Sequence, residues 1–87
     1  LVKNRSYYYI VNEDEKYNGW TNRATWNVNA WFANDDYLYE MVSVLKMEDA
    51  SQFENFCRFM WGKQTPDGDS LDEVNWVEVT ESWGDKG

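Results

Sequence analysis

The chain has 87 residues, with sixteen Asp and Glu against eight Lys and Arg, a net charge of −8, one Cys and no His. One domain is expected, and a lone cysteine excludes an intrachain disulfide. A structural zinc site draws its ligands mainly from Cys and His, so it is excluded as well, and the acidity disfavours direct contact with nucleic acid or an anionic membrane.

A domain this small buries only about two thirds of its unfolded surface, so its core must be rich in large side chains. Six Trp, six Tyr and four Phe supply them. Each buried ring contributes roughly 4–6 kcal/mol of gross burial before entropy is subtracted. No apolar run approaches the length of a membrane span, and no signal-peptide pattern opens the chain. A cytoplasmic location without membrane contact is therefore expected.

Residues 1–17 read as an extended arm. Tyr7, Tyr8, Tyr9, Ile10 and Val11 form its aromatic and β-branched run, ended by Asn12, Glu13, Asp14, Glu15 and Lys16. An unpaired strand edge there makes a homodimer conceivable. Asn18-Gly19 marks a turn. A helix capped by Thr21 or Asn22 follows, running to Ala33. Ala24, Val28 and Trp31 share one of its faces and Trp26, Ala30 and Ala33 another, which predicts a central helix. Asn27 and Asn29 are poor helix formers, so packing must override propensity there.

Asn34-Asp35-Asp36 offers a new cap. Leu38, Met41, Val42 and Leu45 then make an apolar stripe ending near Lys46. Asp49 with Gln52 fits a capping box for a third helix. Phe53, Phe56, Cys57, Met60 and Trp61 share its inner face, and Gly62 stands where a terminating glycine belongs. Thr65-Pro66-Asp67-Gly68 is a turn. Ser70 with Glu73, and Asn75 with Glu78, again fit capping boxes. They predict a one-turn piece over residues 71–74 and a last helix over 76–83, with a strand as the alternative because Val74, Val77, Val79 and Thr80 are β-branched. Residues 84–87 form a tail. The fold class is mainly α: a compact bundle of about four short helices over residues 18–83, with a short N-terminal extended arm or strand.

Catalysis lacks its usual parts. There is no His to act as base or to activate Cys57, which lies on an apolar stripe like a core thiol. No phosphate loop or nucleophile elbow occurs. Asp67-Gly68-Asp69 is only a fragment of a calcium loop, without the twelve-residue ligand pattern. No catalytic residue, metal or cofactor is expected. A small enzyme or metal-binding protein is the second alternative.

The acids are unevenly spread. Residues 64–85 hold seven (Asp67, Asp69, Asp72, Glu73, Glu78, Glu81 and Asp85) and no Lys or Arg. Usually such a run is a solvated face. Its sharper reading is a surface that occupies a basic groove. A folded chain of this mass exposes about 5,400 Å², so an even spread gives about one net charge per 670 Å². Duplex DNA carries about one per 100 Å² of its outer cylinder. Only a concentrated patch could imitate it. The candidates are Asp67, Asp69, Asp72, Glu73, Glu78 and Glu81, with Glu13, Asp14, Asp35 and Asp36 as a second group. The competing reading is an interaction module that binds through exposed tyrosines such as Tyr37 and Tyr39.

Between Asn18 and Asp35 the chain reads Asn-Gly-Trp-Thr-Asn-x-x-Thr-Trp-x-Val-x-x-Trp and then Asn-Asp, with a looser echo at Val74-Asn75-Trp76. It resembles a family of small uncharacterised domains found in phages, plasmids and some archaea. The resemblance implies a mobile-element setting, where small acidic proteins often inhibit restriction or CRISPR nucleases. The expected partner is then a host nucleic-acid-binding protein with a basic surface. The motif also has a structural reading: Asn-Gly turns the chain, Thr-Asn caps a helix, and Trp20, Trp26 and Trp31 supply the core.

Overall fold

The computed structural model describes residues 17–84. The expected arm, with the acids Glu13 and Asp14, falls outside the described residues, as does the end of the tail. Tyr17, counted with the arm above, belongs to the folded part. Its ring tilts against Trp26 at 5.0 Å, and it pairs with Trp20 through two backbone hydrogen bonds of 2.7 and 2.8 Å. Between them Asn18 and Gly19 both take positive φ, 51° and 90°. That is the signature of a tight two-residue turn, for which Asn-Gly is the favoured pair.

Four helices follow: α1 (Arg23–Asn34), α2 (Asp36–Val44), α3 (Ala50–Trp61) and α4 (Trp76–Trp83), with a 3₁₀ turn at Leu71–Glu73. The mainly α fold stands, and the last element is a helix, not a strand. Helix α1 packs against α2 and α4, and α4 packs against α3. The 3₁₀ turn also rests on α1.

Asn22 caps α1, its side chain accepting from Thr25 N at 2.9 Å. The helix does not bury two tryptophan faces. Ala24, Val28 and Phe32, at i, i+4 and i+8, are buried, whereas Ala30 is half-buried and Ala33 exposed. Phe32, not named on either expected face, continues the Ala24–Val28 face by one turn and centres the core, with ring contacts to Phe53 (5.7 Å), Phe56 (6.4 Å) and Trp83 (6.3 Å). Trp20, Trp26 and Trp31 are only half-buried. An indole carries an N–H that needs a partner, and it is too large for so small a domain to enclose fully.

Asp35 both ends α1 and starts α2. Its N–H bonds Trp31 O at 3.0 Å, and its carboxylate accepts from Tyr37 N and Leu38 N. Helix α2 closes in a Schellman motif: Met47 N bonds Val42 O at 3.0 Å and Lys46 N bonds Ser43 O at 3.1 Å. Met47 and Val42 are both buried, which supplies the usual apolar contact. Lys46 occupies the left-handed position, φ 52°, that normally takes glycine. Lys46→Gly is therefore expected to raise stability by about 0.5–1 kcal/mol in urea denaturation, the relief of side-chain strain outweighing glycine's entropy.

Helix α3 has the predicted capping box: Asp49 accepts from Gln52 N at 3.0 Å, and Gln52 Oε1 accepts from Asp49 N at 3.0 Å. Phe53 and Cys57 are buried, Phe56 and Trp61 half-buried, but Met60 is exposed. Gly62 (φ 84°) ends the helix, its N–H bonding Arg58 O. The loop beyond turns at residues 65–68, where Gly68 N bonds Thr65 O at 2.9 Å. The other two capping boxes are incomplete. Ser70 Oγ accepts from Asp72 N, while Glu73 N bonds the Ser70 carbonyl. Asn75 Oδ1 accepts from Glu78 N, but the Glu78 carboxylate turns elsewhere.

Candidate partner-binding surface

The motif residues and their C-terminal echo form one polar clasp that joins the starts of α1 and α4. Asn22 Oδ1 accepts from Thr25 N and from the Thr25 hydroxyl (2.7 Å). Thr25 Oγ1 in turn accepts from Asn75 N at 2.9 Å. Asn22 Nδ2 donates to Glu73 O, Asn75 Nδ2 to Thr21 Oγ1, and Thr21 N to Glu78 Oε1 at 3.1 Å. Thr25 is fully buried. Each buried polar group thus has its partner inside the clasp, which is what low dielectric demands. The motif's polar residues act on one another, which fits the structural reading of the motif.

A second set of contacts fixes the acidic loop. Arg23, Asn27 and Trp31 recur every four residues and so line one face of α1. Arg23 Nε donates to Asp69 at 3.2 Å, while Asn27 Nδ2 and Trp31 Nε1 both donate to Asp67 Oδ2, at 2.9 and 3.0 Å. Asn29 holds Thr25 O through its amide and the Trp83 indole N–H through its oxygen. The two asparagines that weaken α1 are therefore its tertiary anchors. Sequence reasoning registered their poor propensity but not their roles; a buried Asn in a helix interior is itself a sign of a specific polar partner. The Asn27 Oδ1 atom is buried and has no hydrogen-bond partner among the described residues.

The predicted site residues accordingly divide. Asp67, Asp69, Glu78 and Asp35 have carboxylates engaged by α1, by Thr21 and by the start of α2. Asp72 bonds Arg58 Nη2 at 2.8 Å, beside the Arg58–Glu54 pair, yet its side chain remains 82% exposed. Glu73, Glu81 and Asp36 are exposed. Asp35 and Asp67 both contact Trp31, which links the second group to the first at one point. An engaged carboxylate keeps its charge and still contributes to the field, but its geometry is no longer available for a bidentate contact with a partner's arginine.

The Asn27 amide, then the Trp31 indole and the Arg23 charge, hold the Asp67 carboxyl below the usual carboxylate range, against a smaller opposing effect of burial. A carboxyl lowered in the folded state stabilises it fully above its unfolded pKa, about 3.9, and loses that contribution as pH falls through the folded value. Wild-type stability should drop as pH is lowered from about 4. Asp67→Asn should show a shallower drop by urea midpoint as pH falls below about 4; an unchanged slope would rule out this contribution.

Several large apolar side chains remain outside: Tyr37, Tyr39, Val44, Leu45, Phe59, Met60 and Val77 are exposed. Tyr39 sets its edge against Trp83 at 5.9 Å. A shallow depression of 530 Å³ is lined by Met60, Trp61, Lys63, Gln64, Thr65 and Pro66. Cys57 is fully buried, and burial pushes its thiol up to about 12, so it stays protonated at neutral pH. Among the described residues no three acidic or thiol side chains gather to hold a metal ion, and no helix is long and apolar enough to cross a membrane.

No curated protein and no solved structure is similar to this chain. A family model described as a family of unknown function (DUF7249) matches residues 13–82, which takes in the turn, the first three helices, all but the last residue of α4 and both halves of the clasp. The chain belongs to that family.

Proposed function

We propose that this domain is a protein-binding module that engages a basic surface of its partner. The observation that carries the reading is where the charge lies. Residues 17–84 contain twelve acids and only Arg23, Lys46, Arg58 and Lys63, so the whole net charge of −8 falls within them. Two of those four cations are held by carboxylates, Arg23 by Asp69 and Arg58 by Glu54 and Asp72. The field outside the fold is therefore strongly negative, which steers basic partners and repels nucleic acid. Cys57 is enclosed and protonated, and this favours binding over thiol chemistry.

In its specific form the module is an inhibitor that occupies the nucleic-acid-binding surface of a host defence or DNA-processing enzyme. The base-free acidic stretch over residues 64–85 and the mobile-element setting of the resembling domains support that form. The contacts to a basic partner fall first to Glu73 and Asp72, which are exposed, Asp72 keeping 82% of its side chain exposed beside Arg58, whereas Asp67, Asp69 and Glu78 are held by α1 and Thr21.

The test is capture from host lysate by the wild type and by a variant carrying Asp72→Lys and Glu73→Lys. Both sites are exposed, and the Asp72–Arg58 bond that Asp72→Lys removes is a surface pair of small worth, so the fold should survive, as circular dichroism can verify. A basic protein held by the wild type and lost by the variant is the expected result. Retention of the same protein by the folded variant would overturn the acidic-surface reading. Displacement of nucleic acid from the captured protein would establish the inhibitor form.

A further inference from the structure

The outer face of α2 is apolar and largely exposed. Tyr37, Met41, Val44 and Leu45 fall at i, i+4, i+7 and i+8, a single helical stripe. The sequence pattern placed Met41 and Leu45 on the same inner stripe as Leu38 and Val42. Instead only Leu38 and Val42 are buried. Tyr37 is 53% exposed, Val44 57% and Leu45 50%, and α1 is the one described element that packs extensively on α2. The apolar arc of α2 is thus wider than the surface that covers it. Asp36 and Glu40, both exposed, border the outer stripe on the side away from the core, and exposed Glu48 stands just beyond its C-terminal end.

We infer that this face is a docking site for a basic amphipathic helix of a partner protein, whose apolar side seats on Tyr37, Met41, Val44 and Leu45 while its Lys and Arg meet Asp36, Glu40 and Glu48. The inference rests on the reading of a basic protein partner and adds where the apolar part of that contact lies. Charge decides the occupant. A second copy would bring the same acids against these ones, a repulsion that a basic helix converts into attraction. The geometry suits a helix, since four anchors at helical spacing along one stripe match the i, i+3/i+4, i+7 pattern of a facing helix. Tyr37 supplies one of the residue types enriched at the centre of protein contacts.

The test uses the whole chain, isotope-labelled, and two probes: an 18-residue leucine–lysine peptide with leucines at i, i+3, i+4 and i+7, and a lysine-only peptide of equal charge. The expected result is that the amphipathic peptide binds at least tenfold more tightly, and that it shifts the NMR signals of Tyr37, Met41, Val44 and Leu45. The pair Val44→Ser and Leu45→Ser, both at exposed positions, should remove that advantage while leaving the weak binding of the lysine peptide unchanged. Equal binding of both peptides, or shifts confined to residues 67–81, would overturn the α2 site and leave the basic-partner reading intact. Failure of both peptides to bind would count against both. A concentration-dependent dimer that Val44→Ser with Leu45→Ser dissociates would assign the face to a second copy and also overturn the inference.

Discussion

Replacing Phe32 with alanine is expected to bring the domain to the edge of unfolding. Phe32 is fully buried and touches Phe53 and Phe56 of α3 and Trp83 of α4. Its ring ties α1 to both α3 and α4. Removal of a buried Phe costs about 3–5 kcal/mol, transfer and cavity contributions together. Small domains have about 5–15 kcal/mol in total, and one of this size has little surplus. Urea denaturation followed by tryptophan fluorescence should show a midpoint shifted almost to zero denaturant. Phe32→Leu should cost much less, since most of the volume is retained. A loss below about 1 kcal/mol for Phe32→Ala would mean that the core is not organised around this ring.

Thr25→Val is expected to cost about 1–3 kcal/mol, although valine has nearly the same shape. The Thr25 hydroxyl donates to Asn22 Oδ1 and accepts from Asn75 N. Valine leaves that N–H in the clasp without an acceptor, and this desolvation cost dominates the substitution. At about 4–8 °C per kcal/mol, the melting temperature should fall by roughly 4–24 °C. Thr25→Ser keeps the hydroxyl and should recover most of the loss. The comparison separates two views of the family motif. If Thr25→Val melts like the wild type but no longer captures a partner, the motif serves binding and the clasp account is wrong.

The parts of the fold that were legible in the sequence are those governed by local chemistry. Asn18-Gly19, the caps Asn22, Asp35, Asp49 and Asn75, and Gly62 all act within a few residues of themselves, so their side chains announce the element boundaries. Tertiary choices were less visible. Periodicity grouped Leu45 with Leu38 and Val42, but only the packing of α1 decides which side of a wide apolar arc is covered. Phe32 was overlooked because tryptophans drew the expected faces of α1, whereas a purely apolar ring fills a dry core better than an indole with an N–H to satisfy. The acidic cluster was legible as composition and not as geometry. Nothing local distinguishes Asp67, engaged by Asn27 and Trp31 about forty positions away, from Asp72 or Glu73 at the surface. Arg23, Asn27 and Trp31 at four-residue spacing are the signal that could have found it.

The central claim is that a negative surface, concentrated in residues 17–84 and stripped of free arginine, draws a basic protein partner. Its most direct test is the salt dependence of the captured partner's affinity. Between about 50 and 500 mM salt the Debye length shrinks from roughly 14 to 4 Å, so contacts carried by exposed carboxylates should weaken by at least tenfold. The Asp72→Lys, Glu73→Lys variant should show both weaker binding and a flatter dependence. An affinity that stays constant across that range would contradict the account.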